Sequence, residues 1–455
     1  MPRWALVLVC WGKNMSSRGA SRRTRVAAVA VVAAALLTAC QPFVTLMPDL
    51  IDAAVTDAAD GETSGGEMAA EASPRAGGSR CAEPDAASDF ARRSPRQVGV
   101  DPAILTWALG ATDHPFTASV RVYRHNCLIA SAGPSGAAAD APGPLFSMTK
   151  SIVALGVGRA VTLGKVDLDA PLGDFFADLD EAHGAITLRH LLQQSSGLRF
   201  AWANDLSGSL EDSVDQALSM PVVEAAGSHF EYAQTTVNVV AEVVERAVGM
   251  DFQQFMSQEL FVPIGIEPGT WTWMRDGAGN TQGYAWLDME PRDVARLATL
   301  TLQDGVWDGR RVISAEYLDQ MTTGSAANPG YGFLTAVNTG DFFIEGFGGK
   351  RTEGPRITSA PLDTIMFSGF LDQDAFIVPS LDLVIVRTGL PMDSRWRYEL
   401  FHRLMPAFPE VAPALANQGP PPILEVNLVW RQLIDLELLI RRLSTNTNTN
   451  TATVR

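Results

Sequence analysis

Apolar residues recur along this chain at two different spacings, and the places where the spacing changes divide it. Near the start of the body they form two short runs, Arg121-Val122-Tyr123-Arg124 and Cys127-Leu128-Ile129-Ala130, separated by His125-Asn126. That pattern predicts two strands joined by a tight turn. Helical spacing follows. Ile152 with Leu155, and Val153 with Val157, give one face to a helix opening at Ser147, with Gly156 and Gly158 predicting close packing against a neighbour. Residues 186–194 predict a short helix stopped by Ser195-Ser196-Gly197. Thr236 to Gly249 predicts an amphipathic helix with Gly249 as its stop, and Glu290-Pro291-Arg292-Asp293 opens another through Val294, Leu297 and Leu300. After Gly330 the runs become short again, at 331–334, 342–344, 364–367, 375–378 and 383–386, and predict strands. Strands at both ends with helices between describe an α/β fold in which one sheet is interrupted by a helical insertion, with a site expected at the seam.

The two ends of the chain read differently. Arg18, Arg22, Arg23 and Arg25 precede an apolar run from Val26 to Ala39, too short for a membrane span and suited to a secretory signal. Its ending, Leu37-Thr38-Ala39-Cys40, resembles a bacterial lipobox, which implies a lipid on Cys40; Gln41 after it points to the outer membrane. Met15 is the more natural start of such a signal. Residues 1–39 are thus expected to be a lipoprotein signal peptide and 40–87 a flexible Ala/Gly/Asp-rich tether, a composition that cannot bury enough surface to order itself. The folded body is expected over 88–410. Residues 411–455 hold Pro420-Pro421-Pro422, an apolar-rich helix over 423–443 and a polar Asn-Thr end.

The net charge of −16 falls to −22 without residues 1–39, which carry six cations and no acid. A body that acidic repels nucleic acid. The four cysteines sort by position: Cys10 precedes the signal, Cys40 carries lipid, and Cys81 with Cys127 form an even pair in an oxidising compartment, so a disulfide is expected between them. The six histidines are scattered, and with the cysteines they show no metal-ligand spacing.

The candidate chemistry begins at Ser147-Met148-Thr149-Lys150. Positions i and i+3 share a helix face, so the Ser147 hydroxyl and the Lys150 amine can meet. A serine needs a base to become a nucleophile, and a lysine serves as one when burial lowers its pKa.

This motif is followed in order by Leu191-Leu192-Gln193-Gln194-Ser195-Ser196-Gly197-Leu198, by Tyr232 in Phe230-Glu231-Tyr232-Ala233-Gln234, and by a late Gly369-Phe370-Leu371-Asp372-Gln373. The series resembles the penicillin-recognising serine hydrolase superfamily, in its class C β-lactamase-like branch with esterases and 6-aminohexanoate-dimer hydrolases, over about residues 90–405. The resemblance implies a β-lactamase/transpeptidase-like fold, an antiparallel sheet flanked by helices. It implies Ser147 as nucleophile, Lys150 and Tyr232 as proton carriers, and backbone N–H groups of Ser147 and Phe370 as the oxyanion site. Gln234, Gly369 and Gln373 would line the substrate. A phenol near an ammonium is expected to have its phenolate favoured.

The chain departs from the family pattern in three places. Gln234 stands where asparagine is usual and Asp372 where glycine is common. The Lys-Thr-Gly triplet that holds a substrate carboxylate is absent, with Met366-Phe367-Ser368-Gly369 nearby. An uncharged ester or small amide is therefore the expected substrate, with no cofactor or metal. A β-lactamase or D-Ala-D-Ala carboxypeptidase is the alternative, and a non-catalytic envelope lipoprotein that binds cell-wall fragments or a protein is the second.

Overall fold

The computed structural model describes residues 80–86, 88–113, 117–133, 140–202, 205, 211–346, 348–390, 395–411 and 413. The signal segment, Cys40, most of the tether and the tail helix lie outside the described residues. Among those described, no helix is long and apolar enough to cross a membrane.

Six strands make the principal sheet: β1 (Thr117–Arg124), β2 (Cys127–Ala132), β3 (Ala336–Val337), β4 (Ile365–Gly369), β5 (Gln373–Val378) and β6 (Leu383–Gly389). Their spatial order is β2-β1-β6-β5-β4-β3, so the two N-terminal strands pair with the C-terminal ones across the helical insertion. Every neighbouring pair is antiparallel. The turn between β1 and β2 is the two residues His125 and Asn126, both with positive φ (50° and 62°), the backbone twist that tight hairpins require.

Five longer helices cover the sheet: α1 (Pro102–Leu109), α2 (Met148–Thr162), α3 (Thr235–Val248), α4 (Pro291–Leu302) and α5 (Trp396–Leu404). Side chains alternate along the strands, and the sheet is buried on both faces. Ile365, Phe367, Ala375, Ile377, Val384 and Val386 join the core built by α2, α3 and α4. Met366, Phe376, Val378, Leu383 and Ile385 join a second core with α1 and α5. Phe376 anchors the latter, edge-on to Trp396 and Phe401. A fully buried side chain of this size contributes about 1.5–3 kcal/mol. The whole is a β-lactamase/transpeptidase-like arrangement, with the sheet between two helical layers.

Helix α2 runs through the larger core. Its residues from Met148 to Gly158 are all buried. A Cβ on Gly156 would strike the Met256 sulfur, and one on Gly158 the Tyr317 ring, so both glycines answer to close packing. Helix α3 ends at Gly249 in the left-handed conformation, and α4 begins with Pro291 after Glu290.

Two expectations need correction. Residues 331–334 are not a strand. Gly330 and Gly332 press against Phe343 and the Met321 carbonyl, and Leu334 is left-handed (φ 48°), so the apolar run is buried as an irregular turn; the sheet takes Ala336–Val337 instead. Residues Phe342–Ile344 do form a strand, but it pairs with Arg351–Glu353 in a separate ribbon. Near the chain start, Cys81 and Cys127 form a disulfide with Cα atoms 5.2 Å apart, which ties the entry of the body to β2.

Candidate active site

Ser147 sits at the N-cap of α2, directly after Phe146, whose φ is +48°. A left-handed non-glycine residue costs on the order of 1–3 kcal/mol and persists where the surroundings enforce it. Here Leu145 N–H donates to Leu287 O at 2.9 Å, tethering the turn to a small three-stranded sheet of Gly143–Pro144, Trp271–Trp273 and Leu287–Met289. The turn lifts Ser147 to a half-buried position, while the next residues sink into the core. As a helix-start residue, Ser147 keeps its own N–H out of the intrahelical ladder.

Lys150 is 0% exposed. Its Nζ lies 3.1 Å from Ser147 Oγ, 2.7 Å from Gln234 Oε1 and 2.9 Å from the Tyr284 carbonyl oxygen. Burial pushes the amine down from 10.5 to about 7, and the charge of Asp205 opposes that fall. The three partners decide what a neutral amine would do here. Gln234 Oε1 and the Tyr284 carbonyl can only accept, so they take the two N–H bonds and leave the nitrogen lone pair toward the Ser147 hydroxyl. A neutral amine held this way can accept a proton from the serine hydroxyl.

Tyr232 lies across Lys150, with Nζ 4.7 Å from its ring centroid, and the Ser147 side chain is near enough to its phenol to favour the charged form. The expectation that a nearby ammonium favours the phenolate is corrected: burial pushes this phenol up to about 12, with Ser147 and the Arg356 charge only partly offsetting it. The lysine faces the ring, and desolvation outweighs charge attraction. At rest Tyr232 is a protonated phenol, suited to giving a proton to a leaving group.

The late strand reaches the same place. A Cβ on Gly369 would strike Leu145 O and come within 3.2 Å of Met148 N, so β4 ends against the serine turn and only glycine fits. Phe370 follows, 61% exposed, with its ring edge-on to Phe146 at 5.8 Å. Leu371 and Asp372 then turn with φ of +62° and +60°, which explains why a glycine is at home at position 372 and an aspartate is tolerated. Asp372 is also held by Arg397 at 2.8 Å.

Gln373, expected to line the substrate, has its amide engaged within the fold. Its amide nitrogen donates to Leu371 O at 2.9 Å and to Gly389 O, and its oxygen accepts from Gly389 N at 3.0 Å. The side chain pins the β4–β5 turn to the end of β6. Gln234 is divided: its oxygen holds Lys150, while its nitrogen is buried without a partner among the described residues. In place of a carboxylate clamp, Phe367 is 0% exposed in the core and Ser368 Oγ donates to Asp374 at 2.7 Å. Arg356 donates to Gly330 O and Ile344 O, and Arg351 pairs with Glu353.

Sequence reasoning misses two functional neighbours. Gln194, itself left-handed (φ 55°), accepts Glu231 N–H on its carbonyl at 2.8 Å and Ala233 N–H on Oε1 at 2.6 Å, so it grips both sides of Tyr232. It lies within the Leu191–Leu198 motif, and that is the available signal. Asp205 has none, since it lies in an unpatterned stretch. Among the described residues, no group of three His, Cys, Asp or Glu side chains could hold a metal ion.

With this geometry in hand, comparisons with known proteins give a consistent picture. The sequence model of the family described as Beta-lactamase matches residues 110–386. Monacolin J acid methylbutanoyltransferase of Aspergillus terreus is 28% identical over 154 residues, 28% of this chain and 37% of that protein. Esterase EstB of Burkholderia gladioli is 30% identical over 144 residues, 27% of this chain and 36% of that protein. The match to 6-aminohexanoate-dimer hydrolase of Paenarthrobacter ureafaciens is wider, 21% over 288 residues, 58% of this chain and 70% of that protein. The chain therefore spans little more than a third of the first two relatives. Among solved structures, a penicillin-binding protein homologue from Caulobacter crescentus superposes with a TM-score of 0.51 at 15% identity, covering 68% of this chain and 99% of that one; this likeness concerns the fold.

Proposed function

This chain belongs to the Beta-lactamase family, within the penicillin-recognising serine hydrolases, and from that premise we propose that it is a serine hydrolase cleaving small ester or amide bonds through an acyl-enzyme on Ser147. Lys150 takes the Ser147 proton as Oγ attacks the carbonyl carbon. The resulting oxyanion is held by the N–H groups of Ser147 and Phe370. As the tetrahedral intermediate collapses, Tyr232 protonates the departing alcohol or amine and recovers its proton from Lys150. Water, deprotonated by the same pair, then releases the acid.

The observation that carries this reading is the 3.1 Å approach of a fully buried, weakly basic lysine to the serine hydroxyl. A neutral substrate is supported by the position of the clamp strand, where Phe367 stands in the core. Apolar groups are supported by Phe370 and Trp286, 61% and 41% exposed. The first adjoins Gly369, and the second donates its indole N–H to the Tyr284 hydroxyl at 3.1 Å. The names of the relatives, an acyltransferase, an esterase and an amide hydrolase, support acyl chemistry of this type.

We also propose that the enzyme is a lipoprotein of the cell envelope, anchored through Cys40; the Cys81–Cys127 disulfide supports an oxidising compartment.

The test is labelling with a fluorophosphonate followed by peptide mapping, together with hydrolysis of p-nitrophenyl butyrate and nitrocefin. Ser147 is expected to be modified, the ester to be turned over faster than the β-lactam, and Ser147→Ala to lose at least about 10³-fold in kcat with an unchanged melting temperature. An alanine variant of full activity overturns the mechanism.

A further inference from the structure

Helix α3 begins in an unusual way. Its N-cap residue, Gln234, makes no side-chain bond to the helix start, because its amide oxygen is turned to Lys150 at 2.7 Å. The first N–H groups of a helix need acceptors, and another segment provides one. Asp205, 6% exposed, accepts Gln234 N–H at 2.7 Å and Thr235 N–H at 3.1 Å on Oδ2, while the Thr235 hydroxyl donates to Oδ1. Its own backbone is fixed as well: its N–H donates to Ala201 O at 2.9 Å, and its carbonyl accepts Gln216 Nε2 at 2.7 Å.

We propose that Asp205 is a positioning residue that caps α3 from outside the helix, frees the Gln234 side chain to hold Lys150, and biases that lysine with its negative charge. The inference rests on the reading of Lys150 as the base. An acid three hydrogen bonds removed from the nucleophile thereby sets both the direction of the amine and the pH at which it works. The groups facing Lys150 bear this out. Ser147 lies on its own helix, Tyr232 and Gln234 on the segment leading into α3, and Tyr284 on the segment leading to Leu287–Met289. Among the described residues the acid whose charge acts on the amine is Asp205. Arg356 acts on Tyr232 instead. Burial pushes the Asp205 carboxyl up, and the Thr235 and Gln234 donors with Lys150 pull it back; two backbone N–H groups on one oxygen are the environment of a carboxylate.

The charge and the cap separate experimentally. Asparagine caps helices about as well as aspartate, and the Thr235 hydroxyl can reverse to accept from an amide, so Asp205→Asn removes the charge alone. Asp205→Ala removes both. Profiles of kcat/KM for p-nitrophenyl butyrate between pH 5 and 10 are measured for the full chain and both variants, with circular dichroism as the check on folding. Asp205→Asn should move the acid limb to lower pH and leave the alkaline plateau within about threefold. Asp205→Ala should lower kcat at every pH by about 10-fold or more, the loss expected for a misdirected charged hydrogen bond, with KM little changed. An acid limb unmoved in Asp205→Asn, or a normal kcat in Asp205→Ala, overturns the proposal. Should Asp205→Asn not fold, Thr235→Val withdraws one donor and should lower kcat about two- to tenfold; an unchanged kcat is again the negative result. Activity surviving in Ser147→Ala or Lys150→Ala refutes the reading of the site instead, so the two failures are distinct.

Discussion

The amide oxygen of Gln234 lies 2.7 Å from the amine of Lys150, both side chains almost fully buried. The residue that departs from its family's usual asparagine is therefore not idle. Its amide oxygen holds the lysine, and with the Tyr284 carbonyl it leaves one lobe of the nitrogen for Ser147.

Shortening that side chain is the first prediction. Gln234→Asn should leave a buried donor on Lys150 without one of its acceptors, at a cost of about 1–3 kcal/mol. Steady-state kinetics on p-nitrophenyl butyrate should show kcat reduced by about 10-fold or more. An unchanged kcat would mean that the Tyr284 carbonyl alone orients the amine.

Activity should rise with pH through neutrality. The amine must be uncharged to accept the serine proton, and its folded-state value is about 7, so kcat/KM should climb between about pH 6 and 8. The same burial costs stability. Between about 7 and 10.5 the unfolded chain holds a proton on this lysine that the folded chain does not, so folding stability gains with rising pH across that window. Comparing thermal melts of the parent with Lys150→Met from pH 7 to 10 should show the parent improving relative to the variant. A gap independent of pH would place the charge of Lys150 outside the folding equilibrium.

Gly369 should not tolerate a methyl group. A Cβ there would overlap Leu145 O, so Gly369→Ala must push β4 away from the serine turn or twist that turn. Displacing an oxyanion donor costs on the order of 10²–10³ in kcat. The prediction is a kcat loss of about that size in a variant that still binds the fluorophosphonate probe slowly. Wild-type turnover would place the oxyanion donor elsewhere.

The disulfide closes 46 residues of sequence separation. In the chain-entropy account its loss costs about 4 kcal/mol. Cys81→Ala with Cys127→Ala should lower the melting temperature while kcat at 25 °C stays near the parent value, because the bond lies in the core on the sheet face of α1 and α5, away from α2. A kcat drop alongside an unshifted melt would reverse that assignment.

Much of this architecture is legible in the order of the residues. Helices α2, α3 and α4 announce themselves by apolar period and by Gly249 or Pro291 at their ends, because local backbone preference and core packing agree there. The strands 364–367, 375–378 and 383–386 are equally plain. Residues 331–334 mislead for a physical reason: their apolar side chains are indeed buried, but two glycines in close contact and a left-handed Leu334 bury them without a ladder. The internal partners of the Gln373 amide are not legible, because a motif position says which residue stands there and not where its amide bonds.

From the sequence alone came the order of the motifs, the helical turn that brings Ser147 and Lys150 to one face, and the absence of a cation on the clamp strand. Each depends on residues a few positions apart or on composition. Only the tertiary structure decided that Lys150 is stripped of water, that Tyr232 stays a protonated phenol, that Gln194 grips the tyrosine and that Asp205 takes over the start of α3. Those facts depend on desolvation and on partners 29 to 134 residues away in sequence, distances across which no local pattern carries information.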